Sequence, residues 1–110
     1  MATAVYSVRF ALVQLTDDDD HVLYTVGDGD VAILRDVDFF QSSIALADVY
    51  LLLSGIAFAH FAPPGAGSQN SGSWRGRLVL NVGDTLEASV PGFASGEVNI
   101  AASGYLLTAA

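Results

Sequence analysis

Cysteine is absent from this 110-residue chain, lysine is absent too, and proline occurs only three times. Without cysteine no disulfide can staple the fold, and no thiolate can act as nucleophile or metal ligand. Stability must come from packing, within the subunit or between subunits. Positive charge is scarce: four arginines face twelve carboxylates, for a formal net charge of −8. Such a surface repels phosphate backbones, which argues against a nucleic-acid partner. It is equally unsuited to anionic lipid. The same charge helps keep an apolar β protein in solution. No basic segment leads into an apolar core at Met1, so no secretory signal is expected. No stretch carries a convincing amphipathic-helix period.

What the chain has in quantity is apolar side chains, 52% of the total, and eleven glycines. A length of this order supports one domain around one core, read as residues 1–110. Frequent glycine between short apolar runs is the composition of a short-stranded all-β protein.

The clearest pattern lies between Trp74 and Leu107. Runs at Arg77–Val82 and Thr85–Val90 flank Gly83-Asp84, and a third run, Glu97–Leu107, follows a Pro91-Gly92 corner. Leu86, Ala88 and Val90 alternate with Thr85, Glu87 and Ser89, and Val98, Ile100 and Ala102 repeat the pattern. Strict alternation marks a strand with one buried and one wet face. A β-meander is expected here, three successive strands paired in order.

Upstream, Val5–Leu15 alternates with Tyr6, Val8, Phe10 and Leu12 on one face, a long first strand. The adjacent carboxylates Asp17–Asp20 then favour an exposed loop. His21–Val26 is a short strand stopped by the Gly27–Asp30 turn, whose glycines reach positive φ cheaply. Val31–Gln41 is a second long strand with mixed faces. Val31, Ile33, Arg35, Val37 and Phe39 share one side; Ala32, Leu34, Asp36, Asp38 and Phe40 share the other. The longest apolar run, Ile44–Ala62, approaches the length of a membrane span. Asp48, Ser54-Gly55 and His60 interrupt it, so a hairpin turning at Ser54-Gly55 fits better. Residues 63–73, PPGAGSQNSGS, read as a flexible surface loop with Trp74 anchoring its far end. The whole is an all-β, single-domain β-sandwich or jelly-roll-like fold of about seven to nine antiparallel strands. The echo between Gly27–Asp30 and Gly83-Asp84 is ordinary turn chemistry.

Chemistry-bearing groups are few. Asp17–Asp20, Asp28, Asp30, Asp36 and Asp38 offer hard oxygen ligands for calcium. A helix-flanked calcium loop needs a longer ligand series and a closing Glu, so turn residues and solvated charge account for them better. His21 and His60 are the only histidines, and no Gly-x-Ser-x-Gly elbow accompanies them. Asp36 and Asp38 share a strand face at roughly 7 Å, a spacing open to glycoside hydrolysis, but so small a domain has little room for a cleft. No phosphate loop or metal-ligand cluster is visible. A protein without enzymatic activity, cofactor or metal is expected.

Three segments carry a resemblance: LYTVGDGDVAILRDVDF (Leu23–Phe39), VYLLLSGIAFAHF (Val49–Phe61), and WRGRLVLNVGDTLEASV with the closing VNIAASGYLL. In their order and spacing they resemble small structural proteins of tailed bacteriophages, accessory components of tails, necks or capsids. The resemblance runs from Leu23 to Leu107 and implies a non-enzymatic virion component, made in the host cytoplasm. It implies assembly with copies of itself, a trimer preferred, and docking on other virion proteins. Hydrophobicity beyond one small core fits buried subunit surface. The first interface candidates are Phe39, Phe40, Phe58, His60, Phe61, Trp74 and Phe93. The alternative is a β-sandwich module for host attachment. It would recognise a receptor or glycan through residues 63–73 and nearby aromatics among Tyr24, Tyr50, Trp74 and Tyr105.

Overall fold

Eight strands follow one another in a computed structural model that describes residues 3–17, 19–41, 48–61, 70–91 and 97–109. They are β1 (Thr3–Leu15), β2 (His21–Thr25), β3 (Asp30–Gln41), β4 (Val49–Leu53), β5 (Ile56–Phe61), β6 (Asn70–Leu80), β7 (Thr85–Ser89) and β8 (Val98–Ala109). Sheet A has the order β1-β8-β3-β6 and sheet B the order β2-β7-β4-β5, every pairing antiparallel. Two facing four-stranded sheets connected in this way form a jelly roll. The all-β sandwich expected from the alternating runs is therefore present.

The meander is not. Its three runs are strands, but none pairs with the next. β6 lies beside β3, β7 lies between β2 and β4, and β8 is inserted between β1 and β3. The Gly83-Asp84 turn carries the chain across the core from one sheet to the other. Alternation reports which face of a strand is buried; it does not report the hydrogen-bonding neighbour. The turn is closed by Asp84, whose amide donates to the Asn81 carbonyl (2.9 Å) and whose carboxylate accepts from the Asn81 amide (2.8 Å). It also meets the other Gly-Asp turn: the Val26 amide donates to the Asp84 carbonyl at 3.0 Å, and the Gly83 amide to the Val26 carbonyl at 3.1 Å. The Ser54-Gly55 hairpin forms as expected and joins them, the Ser54 amide donating to the Thr85 carbonyl at 2.9 Å. One end of the sandwich is thus locked by three short turns bonded to one another.

The mixed faces of the long strands have a single cause, a row of bulges across sheet A. On β1 the register with β8 shifts between Arg9 and Ala11, leaving Phe10 as an extra residue. Phe10 and Ala11 are then both buried, and Leu12, expected on the face of Phe10, is turned outward and 65% exposed. On β3 the register with β8 shifts between Leu34 and Asp36, with Arg35 extra, and opposite it β6 carries two residues, Gly76 and Arg77, against that one. Ala32 and Leu34 point inward before the bulge; Val37, Phe39 and Gln41 do so after it. A bulge adds one residue to a period of two, so it exchanges the faces of everything beyond it. β8 carries no bulge. At the seam it presents Gly104, where a Cβ would stand 1.9 Å from the Ile33 carbonyl oxygen.

Between the sheets Leu34, Leu51, Leu80, Leu86 and Ile100 are fully buried together with Val37, Val49, Val90 and Val98. Each such side chain contributes about 1.5–3 kcal/mol on burial. Aromatic pairs close both open sides of the sandwich. Phe10 of β1 meets Tyr24 of β2 with ring centroids 4.7 Å apart. On the opposite side Phe39 meets Phe61 at 4.5 Å and Phe58 meets Trp74 at 5.4 Å. The Phe39 ring lies over Gly72, where a Cβ would come within 2.5 Å of it. β6 begins at Asn70, so residues 70–73 of the expected loop are strand, their alternation set by Gly72 beneath that ring. The remainder of that loop lies outside the described residues.

Overpacking a core costs typically about 1–3 kcal/mol, and more where the opposing atom cannot move. Gly72→Ala should fall in that range, because a ring can shift. Gly104→Ala opposes backbone and should lose considerably more, enough to abolish a cooperative urea transition. A Gly104→Ala variant unfolding at the wild-type midpoint would contradict the placement of β8.

Candidate functional site

Antiparallel partners directly opposite one another share a face, so the register defines the outer surface of sheet A row by row. The middle row is Arg9, Ser103, Asp36 and Arg75, one residue from each strand. Arg35 and Arg77, from the bulged stretches of β3 and β6, flank it. All four arginines of the chain are therefore on this one face, and all are exposed. Toward the turn end lies the row Ser7, Tyr105, Ile33 and Val79, followed by Val5, Leu107 and Val31. Toward the other end lie Leu12, Ala101, Asp38 and Ser73, then Gln14, Asn99, Phe40 and Ser71. Val5 is 60% exposed, Val79 47%, Tyr105 42% and Phe40 40%, large apolar surface on what is the outer face of a sandwich.

Charge on this face is organised by Arg75. Its guanidinium bridges Asp36 (Nε to Oδ1, 3.0 Å) and Asp38 (Nη2 to Oδ1, 3.0 Å). The two aspartates do share a face, but they serve an ion-pair fork in solvent rather than a cleft. Among the described residues Arg9, Arg35 and Arg77 enter no ion pair. Beside Arg35 a depression of about 140 Å³ is lined by Ser7, Asp36, Ser103, Gly104 and Tyr105. The sequence carried one signal of this row: Arg35 breaks the apolar run of β3, which marks the bulge that displays it.

The outer face of sheet B has a different character. His60 stacks on Tyr50 with ring centroids 4.3 Å apart, and its Nε2 lies 2.9 Å from the Asp48 carboxylate. His60 is thus an exposed β5 side chain, not a core one. Of the other interface candidates, Phe39 is buried within the sandwich at 4% exposure, and Phe58, Phe61 and Trp74 are half-buried where β5 meets β6. Phe40 lies on the outer face of sheet A. Phe93 lies outside the described residues. Tyr24 is half-buried with its ring against Phe10, and burial, then the charge of Asp30, push its hydroxyl above the ordinary value of 10.0.

Four of the carboxylates considered for calcium, Asp17, Asp30, Asp36 and Asp38, are engaged locally. Asp30 accepts from the Thr108 hydroxyl at 2.9 Å, and Asp17 accepts from the Asp19 amide at 3.0 Å. Among the described residues no three His, Asp or Glu side chains converge as a metal site.

No family model matches the chain, and no curated protein matches it. Its fold has counterparts among solved structures. A chain of the T=1 particles derived from infectious bursal virus superposes with a TM-score of 0.52, covering 96% of this chain and 32% of that one at 13% identity. The VP2 subviral particle of infectious bursal disease virus gives a TM-score of 0.50 with the same coverage and identity. At this identity the likeness is one of fold. The present chain spans about a third of the length of those chains.

His21 Nε2 lies 2.7 Å from Asp17, and this hydrogen bond, followed by that from the Asp19 amide, holds the Asp17 carboxyl below its ordinary 3.8. A depressed folded-state value means that the contribution to stability is present above the unfolded-state value and lost as pH falls through the folded one. Titration followed by NMR should find Asp17 below 3.8 in the wild type and closer to 3.8 in His21→Ala. Identical Asp17 titrations in the two proteins would remove the assigned partner.

Proposed function

We propose that this chain is a non-enzymatic virion structural protein that acts by self-assembly. The observation that supports the proposal is the fold: the two facing sheets, β1-β8-β3-β6 and β2-β7-β4-β5, superpose over 96% of the chain, with a TM-score of 0.52, on a chain solved as a viral particle. Fold alone hosts many functions, so the surface must agree, and it does. The outer face of sheet A is apolar beyond the needs of one core, with arginine in its middle row, the composition of a protein interface. The locked turn end and the aromatic closure of both sides provide a rigid block suited to repeated copies. The sequence resemblance adds the particle: an accessory or decoration component of a tailed-phage tail, neck or capsid, docked there as a homo-oligomer, with a trimer preferred.

Closed symmetric assemblies are the usual outcome when one surface recognises another on identical copies. Purified protein, viewed by negative-stain electron microscopy and weighed by native mass spectrometry, should form discrete oligomers or closed particles. A monomer at every concentration that is instead retained on a host glycan would overturn the proposal in favour of an attachment module.

A further inference from the structure

We infer that the arginine row on the outer face of sheet A is a docking surface for the acidic β1–β2 connection of a second copy of this chain. The inference rests on the self-assembly proposed above and names the surface that carries it. Its basis is the partition of charge. Every cation of the chain stands on one sheet face, against Asp36, Asp38 and, at the margin of that face, Glu97. The other carboxylates belong to connections, to strand ends or to sheet B, and sheet B contains no arginine. A molecule with net charge −8 repels its copies unless its few cations are gathered where they can meet the acids of a neighbour.

The local chemistry fits the same partner. Arg75 is satisfied by Asp36 and Asp38, which leaves Arg9, Arg35 and Arg77 as outward donors in one band. Beside Arg35, Ser7, Ser103 and Tyr105 line the depression of about 140 Å³ together with Asp36, whose carboxylate is paired with Arg75. A water occupies about 30 Å³ in the liquid, so the space receives a carboxylate with its donors already placed. Exposed Tyr105, Val79 and Val5 on one side of the band, and Leu12 on the other, supply the apolar contact that arginine-centred interfaces use. On the partner, Asp19 and Asp20 are exposed and enter no ion pair among the described residues, whereas Asp17 is engaged by His21. The two surfaces are different patches, so the contact is heterologous: copies add head to tail, and the rotation between them decides whether a ring closes.

Charge reversal tests this. Sedimentation velocity would compare wild type, the triple variant Arg9→Glu/Arg35→Glu/Arg77→Glu, and the double variant Asp19→Arg/Asp20→Arg. Arg75 is left in place because its ion pairs belong to the fold. Wild-type association should weaken as salt rises from about 0.05 to about 0.5 M, since exposed charge pairs are screened. Each variant alone should show an apparent Kd raised by about tenfold or more with an unchanged unfolding midpoint, and an equimolar mixture of the two should associate again. If the triple glutamate variant does not fold, Arg9→Gln/Arg35→Gln/Arg77→Gln replaces it with the same expected loss. Variants that associate like wild type would overturn the inference while leaving self-assembly standing. Wild type that stays monomeric at every concentration would remove the assembly proposal itself. Variants that keep wild-type association but lose retention on heparin would assign the row to an anionic polymer instead, which also overturns the inference.

Discussion

The position of β8 is the constraint on which the other features depend. The last strand of the chain lies between β1, which comes first, and β3, and it is hydrogen-bonded to both along its length. Without that strand β1 has no partner in sheet A, since it pairs there with β8 alone. Both neighbours of β8 bulge at adjacent levels along it, β3 at Arg35 between the partners Gly104 and Ser103, and β1 at Phe10 between Ser103 and Ala102. This seam turns Phe10 and Ala11 into the core together and exchanges the faces of both strands beyond it. It also sets the charge pattern: Arg35 is the extra residue of one bulge, Arg9 borders another, and Arg77 lies in the stretch of β6 opposite Arg35. Core phase and surface charge are two results of one backbone irregularity.

The strands and their inward residues were legible from alternation wherever no bulge intervened. Leu86, Ala88, Val90, Val98, Ile100 and Ala102 are buried as their period of two requires. Leu12 was assigned to the wrong face because a bulge leaves no mark in composition; Phe10 and Leu12 are equally apolar, and only the register separates them. On β3 the irregularity was visible as mixed faces, with Arg35 among apolar neighbours. Pairing order was not legible. Gly83-Asp84 is as good a hairpin turn as a crossing between sheets, and the choice between them is made by long-range burial. The two Gly-Asp turns looked like unrelated local chemistry, yet they meet where Val26 and Asp84 extend the β2–β7 ladder of sheet B. Such a contact has no local signature.

The surface proposed for docking was hidden for a related reason. Sequence inspection favours aromatics as interface residues, but Phe39, Phe58, Phe61 and Trp74 are occupied in closing the side of the sandwich where β5 meets β6. On the outer face of sheet A, Val5, Val79 and Tyr105 remain outward by the ordinary alternation of β1, β6 and β8, and Leu12 by the bulge that precedes it. The arginines are separated in sequence by up to the distance from Arg9 to Arg77, and only the four-stranded register aligns them. Scarcity makes the alignment informative. With four cations in the whole chain, their gathering on one face separates a basic band from an acidic remainder.

Hydroxyl-radical footprinting of the assembled and the dissociated protein tests the central claim, that subunits associate through the outer face of sheet A. Tyr105, Phe40 and Leu12 report on that face, while Tyr50, His60 and Ile56 report on sheet B and its edge. Assembly should protect the first group and leave the second at its dissociated level of modification. Protection of Tyr50 and His60 with Tyr105 and Leu12 unchanged would contradict the account and transfer the interface to sheet B.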